Sequence, residues 1–235
     1  MVKKTRADGP HGLIVMDKPT GCSSMDVVRR VRRAAGGART GHAGTLDPLA
    51  SGVLICCLGK ATRCVDQLMD QTKVYAATVD LSALSATDDA EGELEAVEVD
   101  SPPTAAAVRA ALDGLTGEIE QVPPAYSAIK VHGKRAYKLA RRGEQVTMPP
   151  RMVRVDRIEM DRFNWPKLEI TVTCGKGTYI RSLGRQIGAA LGAGGYLTAL
   201  RRTAIGDYTI ERSVRLDNLP EVLTEGDLIP VTEGV

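Results

Sequence analysis

One stretch in the first quarter of the chain does most to limit the fold. Gly41 to Gly52 (GHAGTLDPLASG) is rich in glycine and broken by Pro48, and Val53 to Leu58 (VLICCL) is apolar throughout. The first part has the composition of a loop. The second lacks the polar alternation of a half-exposed strand and reads as a fully apolar strand. A shorter apolar run, residues 12–16 (GLIVM), reads as a buried strand that ends at Asp17-Lys18-Pro19. Ser23 with Asp26 three residues on predicts a helix N-terminus, and Val28, Val31 and Ala35 keep helical spacing until Gly36-Gly37 stop it. The outer face of that helix carries Arg29, Arg30, Arg32 and Arg33.

Further along, residues 61–69 predict a short helix and residues 73–81 a β-branched strand holding Tyr75. The acidic stretch 85–95 reads as an exposed loop, with a short strand near 96–99. Thr104 caps an Ala-rich helix that ends at Gly114. Residues 119–152, with Pro123-Pro124, a basic turn at His132-Gly133-Lys134, a helix near 136–142 and Pro149-Pro150, read as an excursion from the sheet. Strands follow at 152–159 and 167–174. Thr178 is expected to cap a helix with Ile180, Leu183, Ile187 and Leu191 on one face, and a last strand lies near 205–210. Strands and helices alternate irregularly, which gives an α+β or mixed α/β class.

At 235 residues and 43% hydrophobic, the chain can bury a real core as one large domain, residues 1–235. With 3% aromatics that core must be aliphatic, which makes each tyrosine informative. The net charge of +2 hides a strong segregation. Residues 1–45 hold nine Lys and Arg against three acids, residues 128–154 hold eight against one, and residues 80–100 hold eight acids and no base. Solvated helix faces explain any one block; two basic blocks together point toward a polyanion such as nucleic acid. The five cysteines include no C-x-x-C pair, and no His/Cys cluster has zinc-ligand spacing. Buried thiols in a reducing, cytoplasmic setting are the expectation, with no metal. No signal peptide and no apolar stretch of bilayer length is present, so no membrane association is expected.

The chemistry centres on Asp47. A carboxylate fixed on a tight turn before proline, among residues small enough for backbone to approach a ligand, suits nucleophilic or base catalysis. Taken alone, an Asp-Pro turn is more often structural.

The segment GHAGTLDPLASGVL resembles the catalytic motif of the bacterial tRNA pseudouridine synthase B family. Residues 12–28 (GLIVMDKPTGCSSMDVV) resemble the family's N-terminal motif, and 58–81 its tyrosine-bearing strand. Residues 122–143 (VPPAYSAIKVHGKRAYKLARRG) resemble its RNA-binding thumb. Residues 174–188 (CGKGTYIRSLGRQIG) and 196–206 (YLTALRRTAIG) resemble its C-terminal active-site motifs. The resemblance implies the pseudouridine synthase fold: a mixed, mostly antiparallel sheet with flanking helices and a thumb-like insertion at 119–152. It implies isomerisation of uridine to pseudouridine at position 55 of the tRNA T-loop. That reaction conserves every atom and needs no phosphoryl donor, so no cofactor is expected, in keeping with the missing phosphate-binding motifs.

The resemblance also assigns roles. Asp47 matches the catalytic aspartate, and Arg181 the arginine that pairs with it. Tyr75 matches the tyrosine laid against the target base, Tyr179 a second pocket tyrosine, and Leu200 an apolar pocket residue. His42 would face RNA and help the T-loop adapt when the uridine turns out. Lys18 would position or support the site, and Lys130 with the basic thumb would contact phosphates. The blander readings are a surface helix arginine for Arg181, a cross-strand aromatic for Tyr75 and ordinary core for Leu200. The expected partner is the tRNA T-arm, bound by a monomer without an obligatory protein partner.

Two departures stand out. Ala86 occupies a position where the family often has aspartate, in a T-D-T-x-D turn. No C-terminal RNA-binding PUA domain, found in many bacterial members, is expected here, which implies weaker tRNA binding. Rival readings are a non-catalytic tRNA-binding or folding module and a guide-dependent pseudouridine synthase subunit. A glycosidase would need a second carboxylate, and Asp88, Asp89, Glu91 and Glu93 read as solvated.

Overall fold

A computed structural model describes residues 9–126, 130–131, 134–135 and 147–231. In chain order the regular elements are β1 (Gly12–Lys18), α1 (Ser24–Ala34), β2 (Thr40–His42), β3 (Ser51–Leu58), α2 (Val65–Asp70), β4 (Lys73–Asp80), β5 (Ala83–Ser85), β6 (Leu94–Ala96), α3 (Ala105–Asp113) and β7 (Gly117–Gln121). They continue with β8 (Lys130–Val131), β9 (Lys134–Arg135), β10 (Arg151–Asn164), β11 (Lys167–Cys174), α4 (Ile180–Ala190), β12 (Tyr196–Ile205), β13 (Tyr208–Thr209) and β14 (Val214–Arg215). The class is the expected one, mixed α+β with mostly antiparallel pairing. Two compact units result, residues 1–74 with 201–235, and residues 75–200. Among the described residues no helix is long and apolar enough to cross a membrane.

The first unit explains why β1 and β3 lack polar alternation. Their side chains leave the sheet on opposite faces in turn, and both faces are covered. Ile14, Met16, Leu54, Cys56 and Leu58 pack with Val27, Val28 and Val31 of α1. Leu13, Val15, Val53, Ile55 and Cys57 pack with Ala43, Ala61, Leu68 and Ile205. β1 and β3 are antiparallel, in register from Gly12–Leu58 to Lys18–Gly52. The other edge of β3 changes partner along its length: β12 pairs with Ser51 and Gly52 in parallel, and β2 pairs with Cys56 to Leu58 antiparallel. Helix α1 starts as expected, with a reciprocal capping box between Ser23 and Asp26, and Gly36 (φ +62°) and Gly37 (φ +88°) turn the chain out of it.

In the second unit the strand order is β4-β11-β10-β7, with β5–β6 and β8–β9 as separate hairpins. β11 alternates between buried residues and residues that are exposed or half-buried. β10 does not: register shifts after Val155 and after Met160 re-aim its side chains, and Ile158 takes the next buried position. Thr104 caps α3 as expected, and α4 buries Ile180, Leu183 and Ile187.

Four local expectations are corrected. Residues 40–42 and 51–52 are strand, so the loop shortens to 43–50. The strand after the acidic turn is 94–96, paired with 83–85 rather than lying at 96–99. The last long strand is β12, 196–205, with only 208–209 following. Thr178 does not cap α4: its hydroxyl donates to the carbonyls of Arg154 and Gly175, and Tyr179 holds the cap position. The helix expected near 136–142 lies outside the described residues.

Candidate active site

The loop 43–50 joins β2 to β3 and is tied down along its length. Ala43 N–H donates to Ile55 O (3.0 Å), which extends the β2–β3 ladder into the loop. The Ser24 hydroxyl, at the start of α1, both donates to Leu46 O (3.0 Å) and accepts from Leu46 N–H (2.8 Å). Ala50 N–H closes on Asp47 O (3.1 Å), and Gly21 N–H donates to Pro48 O (2.8 Å). Leu46 and Ala50 are buried while Asp47 is only half-buried. The backbone is therefore fixed on either side of Asp47, a residue that is not fully buried.

Two buried cations lie beneath this loop. Lys18 is fully buried, and its ammonium donates to Pro19 O (2.8 Å) and Cys22 O (2.7 Å). Burial pushes its pKa down, with Cys22 and Asp47 acting against that and Arg202 reinforcing it. Arg202 is 1% exposed and donates from Nε to Val53 O (2.7 Å) and from Nη2 to Gly44 O (3.0 Å). Sequence reading missed it, because tandem arginines in YLTALRRTAIG give no sign that one is interior. On the same strand Arg201 reaches Asp17 (2.9 Å) and Ser51 Oγ (3.2 Å). His42 is half-buried; burial, then the Arg202 charge, push its imidazole pKa down, against a hydrogen bond with the Gly44 backbone. A largely neutral imidazole is the consequence near pH 7.

The remaining expected site residues fall in the second unit. Tyr75 lies on β4, half-buried, and Leu200 lies on β12, 9% exposed. Tyr179 opens α4; its backbone N–H donates to Gln121 Oε1 (2.7 Å), and the Arg151 guanidinium lies 4.9 Å from its ring centre. Arg181 is no surface residue. It is buried, pairs with Asp89 (3.1 Å), and donates to Thr87 O (3.0 Å) and Tyr126 O (2.9 Å). Lys130 lies on β8, and its side chain falls outside the described residues.

This pairing overturns the solvated reading for Asp88 and Asp89, whereas Glu91 and Glu93 are exposed as expected. Asp88 and Asp89 are 6% and 2% exposed, bound to Arg185 and Arg181 respectively. Burial pushes the Asp88 carboxyl pKa up, opposed chiefly by Arg185. Ser85 and Thr87 complete the turn with hydrogen bonds to Asp89, while Ala86 is exposed. The departure from the T-D-T-x-D pattern thus falls where a side chain would meet solvent. Among the described residues no group of three or more His, Cys, Asp or Glu is placed to hold a metal ion.

Comparison with known proteins places the chain in a family. Residues 32–180 match the TruB family pseudouridylate synthase N-terminal domain, and residues 181–228 the tRNA pseudouridylate synthase B C-terminal domain. A tRNA pseudouridine synthase B of Thermobifida fusca (strain YX) is 48% identical over 232 residues, covering 95% of this chain and 78% of that protein. Its counterpart in Mycolicibacterium paratuberculosis (strain ATCC BAA-968 / K-10) is 49% identical over 217 residues, covering 90% and 74%. Among solved structures, a Cbf5-Nop10-Gar1 complex matches with a TM-score of 0.68 at 30% identity, covering 88% of this chain and 53% of that one. An H/ACA RNP bound to a substrate RNA containing 2'-deoxyuridine matches with a TM-score of 0.65 at 27% identity, covering 91% and 58%. The chain therefore spans little more than half the length of these solved chains, and the fold they share with it is the pseudouridine synthase fold. By these matches the chain belongs to the TruB family of pseudouridylate synthases.

Proposed function

We propose that this protein isomerises uridine to pseudouridine in the T-loop of tRNA, at position 55, with Asp47 as the catalytic carboxylate. The observation that carries the reading is the loop itself: Asp47 sits half-open on a backbone held by Ser24, Gly21, Ile55 and Arg202. Fixing a carboxylate before substrate arrives removes the need to order it during the reaction. The reaction breaks the bond from ribose C1′ to uracil N1, turns the base, and forms the bond from C1′ to C5. The C5 proton leaves and N1 gains one, so product and substrate have the same atoms.

Other roles follow from the family likeness. Tyr75, Tyr179, Arg181 and Leu200 bind the extruded nucleoside, with roughly 1–3 kcal/mol available from base stacking on a tyrosine. His42 faces the RNA, Lys18 supports the loop, and Lys130 with the thumb at 119–152 binds phosphates. The protein acts alone and without a cofactor.

The test uses purified protein and a tRNA transcript tritiated at uridine C5. Tritium release from the T-loop position is expected, unaffected by EDTA, abolished in Asp47→Ala, with tRNA affinity changed by no more than a few-fold. Binding without release by the wild-type protein would instead support an RNA-binding or folding module. The match to a Cbf5-Nop10-Gar1 complex gives a second reading some support, that of a subunit acting with a guide RNA and protein partners. Release that appears only when such partners are added would favour it. The relatives at 48–49% identity are named tRNA pseudouridine synthase B, which supports tRNA as the substrate.

A further inference from the structure

We propose that Arg202 is the positioning residue of the catalytic loop, a side-chain clamp that holds its two ends together and thereby aims Asp47. The proposal rests on the function proposed for Asp47, but its physical core can be tested without that function.

The need for a clamp comes from the strand pattern. β3 is paired with β12 only at Ser51 and Gly52 and with β2 only from Cys56 onward, with Ala43 bound to Ile55. Val53 lies where the partner changes, and a buried carbonyl there must still find a donor. The Arg202 Nε–H supplies it (2.7 Å), and Nη2–H of the same planar group reaches Gly44 O (3.0 Å). One rigid guanidinium thus joins the residue that opens the turn to the residue that follows its exit. Asp47 lies between the two.

The backbone of Arg202 grips the same place. It pairs with Gly52, where φ is +102° and a Cβ would lie 2.2 Å from Arg202 O. Only glycine permits that approach. Gly44 (φ +94°) brings its backbone up to the guanidinium, and a Cβ there would lie 3.4 Å from Nη1. The neighbouring Arg201, whose side chain leaves β12 on the opposite face, holds Ser51 and Asp17. The tandem arginines therefore bind the exit of the loop from both sides, and only Arg202 also reaches its entrance.

Burying a guanidinium is costly, and Arg202 lies close enough to the buried Lys18 for the two charges to oppose each other. What the guanidinium supplies beyond a neutral donor is two N–H groups in a fixed fork. Lysine keeps the charge but cannot span both carbonyls, which makes R202K the informative variant, with R202M as its uncharged companion.

The experiment combines amide hydrogen exchange with single-turnover pseudouridine formation on a tRNA transcript. In R202K, amides of residues 43–53 should exchange at least tenfold faster, while α1 and the β10–β11 hairpin keep wild-type protection. The single-turnover rate should fall about 10- to 100-fold, the scale expected from a small misplacement of a reacting group. The dissociation constant for tRNA should stay within threefold. R202M should lose at least as much rate and protection. Unchanged exchange over 43–53 in folded R202K overturns the clamp, whatever the activity. Faster exchange with an unchanged rate overturns its role in aiming Asp47. Failure of both variants to fold overturns it as well, since Arg202 would then be a determinant of the whole unit. A wild-type protein with no activity would sink the proposed function and leave the exchange result standing.

Discussion

Buried ionisable groups in this protein differ by what they can reach. Cys56 and Cys57 are adjacent on β3 and leave it on opposite faces, into opposite halves of an aliphatic core. Burial pushes both thiols up, Cys57 to about 12, and an apolar site offers the thiolate nothing in return. Cys22 and Cys64 are only partly buried. At pH 8, two thiols should therefore react with a maleimide in the native state, and Cys56, Cys57 and Cys174 only after denaturation. Mass spectrometry of labelled peptides checks this, and rapid native labelling at Cys57 would contradict the packing described. Lys18 and Arg202 show the opposite solution. Each is as deeply buried as those thiols, yet each donates hydrogen bonds to two backbone carbonyls.

Among the elements, α4 packs closely on the backbone that follows it. A Cβ on Gly188 would lie 2.1 Å from Gly194 O, and one on Gly195 would lie 2.3 Å from Gly184 O. Helix and the turn before β12 thus meet backbone to backbone, which explains Gly188 and Gly195, while a Cβ on Gly194 would lie 2.3 Å from Ala83 O. In an exposed helix Gly→Ala gains about 1 kcal/mol. Here the sign should reverse, with Gly188→Ala losing about 1–3 kcal/mol through overpacking in a urea titration. The elements also show which parts of the fold could be read in advance. β1, β3, α1 and α3 were legible because their signals are local: an apolar run, a capping box, a terminal glycine. β12 was not, because Arg201 and Arg202 look solvated until β3 and the loop supply their acceptors from about 150 residues away. Asp88 and Asp89 misled for the same reason, since Arg185 and Arg181 lie 97 and 92 residues further on. In the candidate site, Asp47 was legible from its motif, whereas the clamp that holds it was not.

For the whole molecule, charge placement governs how a polyanion would meet it. Arg29, Arg30, Arg32, Arg33 and Arg39 are all exposed, and Arg29 is paired with Asp26. Phosphate contacts of this kind release counterions, so tRNA affinity should fall steeply with salt. Replacing Arg30 and Arg33 with Gln should reduce the slope of log K against log salt by roughly one to two, without changing the rate at saturating tRNA. An unchanged slope would assign that face to solvent alone. The proposed reaction depends on the charge of one side chain, and Asp47→Asn isolates it, since the amide keeps the size of the carboxylate and leaves the loop backbone alone. The decisive measurement is single-turnover tritium release from a T-loop uridine labelled at C5, with folding verified by thermal melting. The account predicts release by the wild-type protein and none by folded Asp47→Asn at equal tRNA occupancy. Release by the variant at a rate near wild type would contradict it.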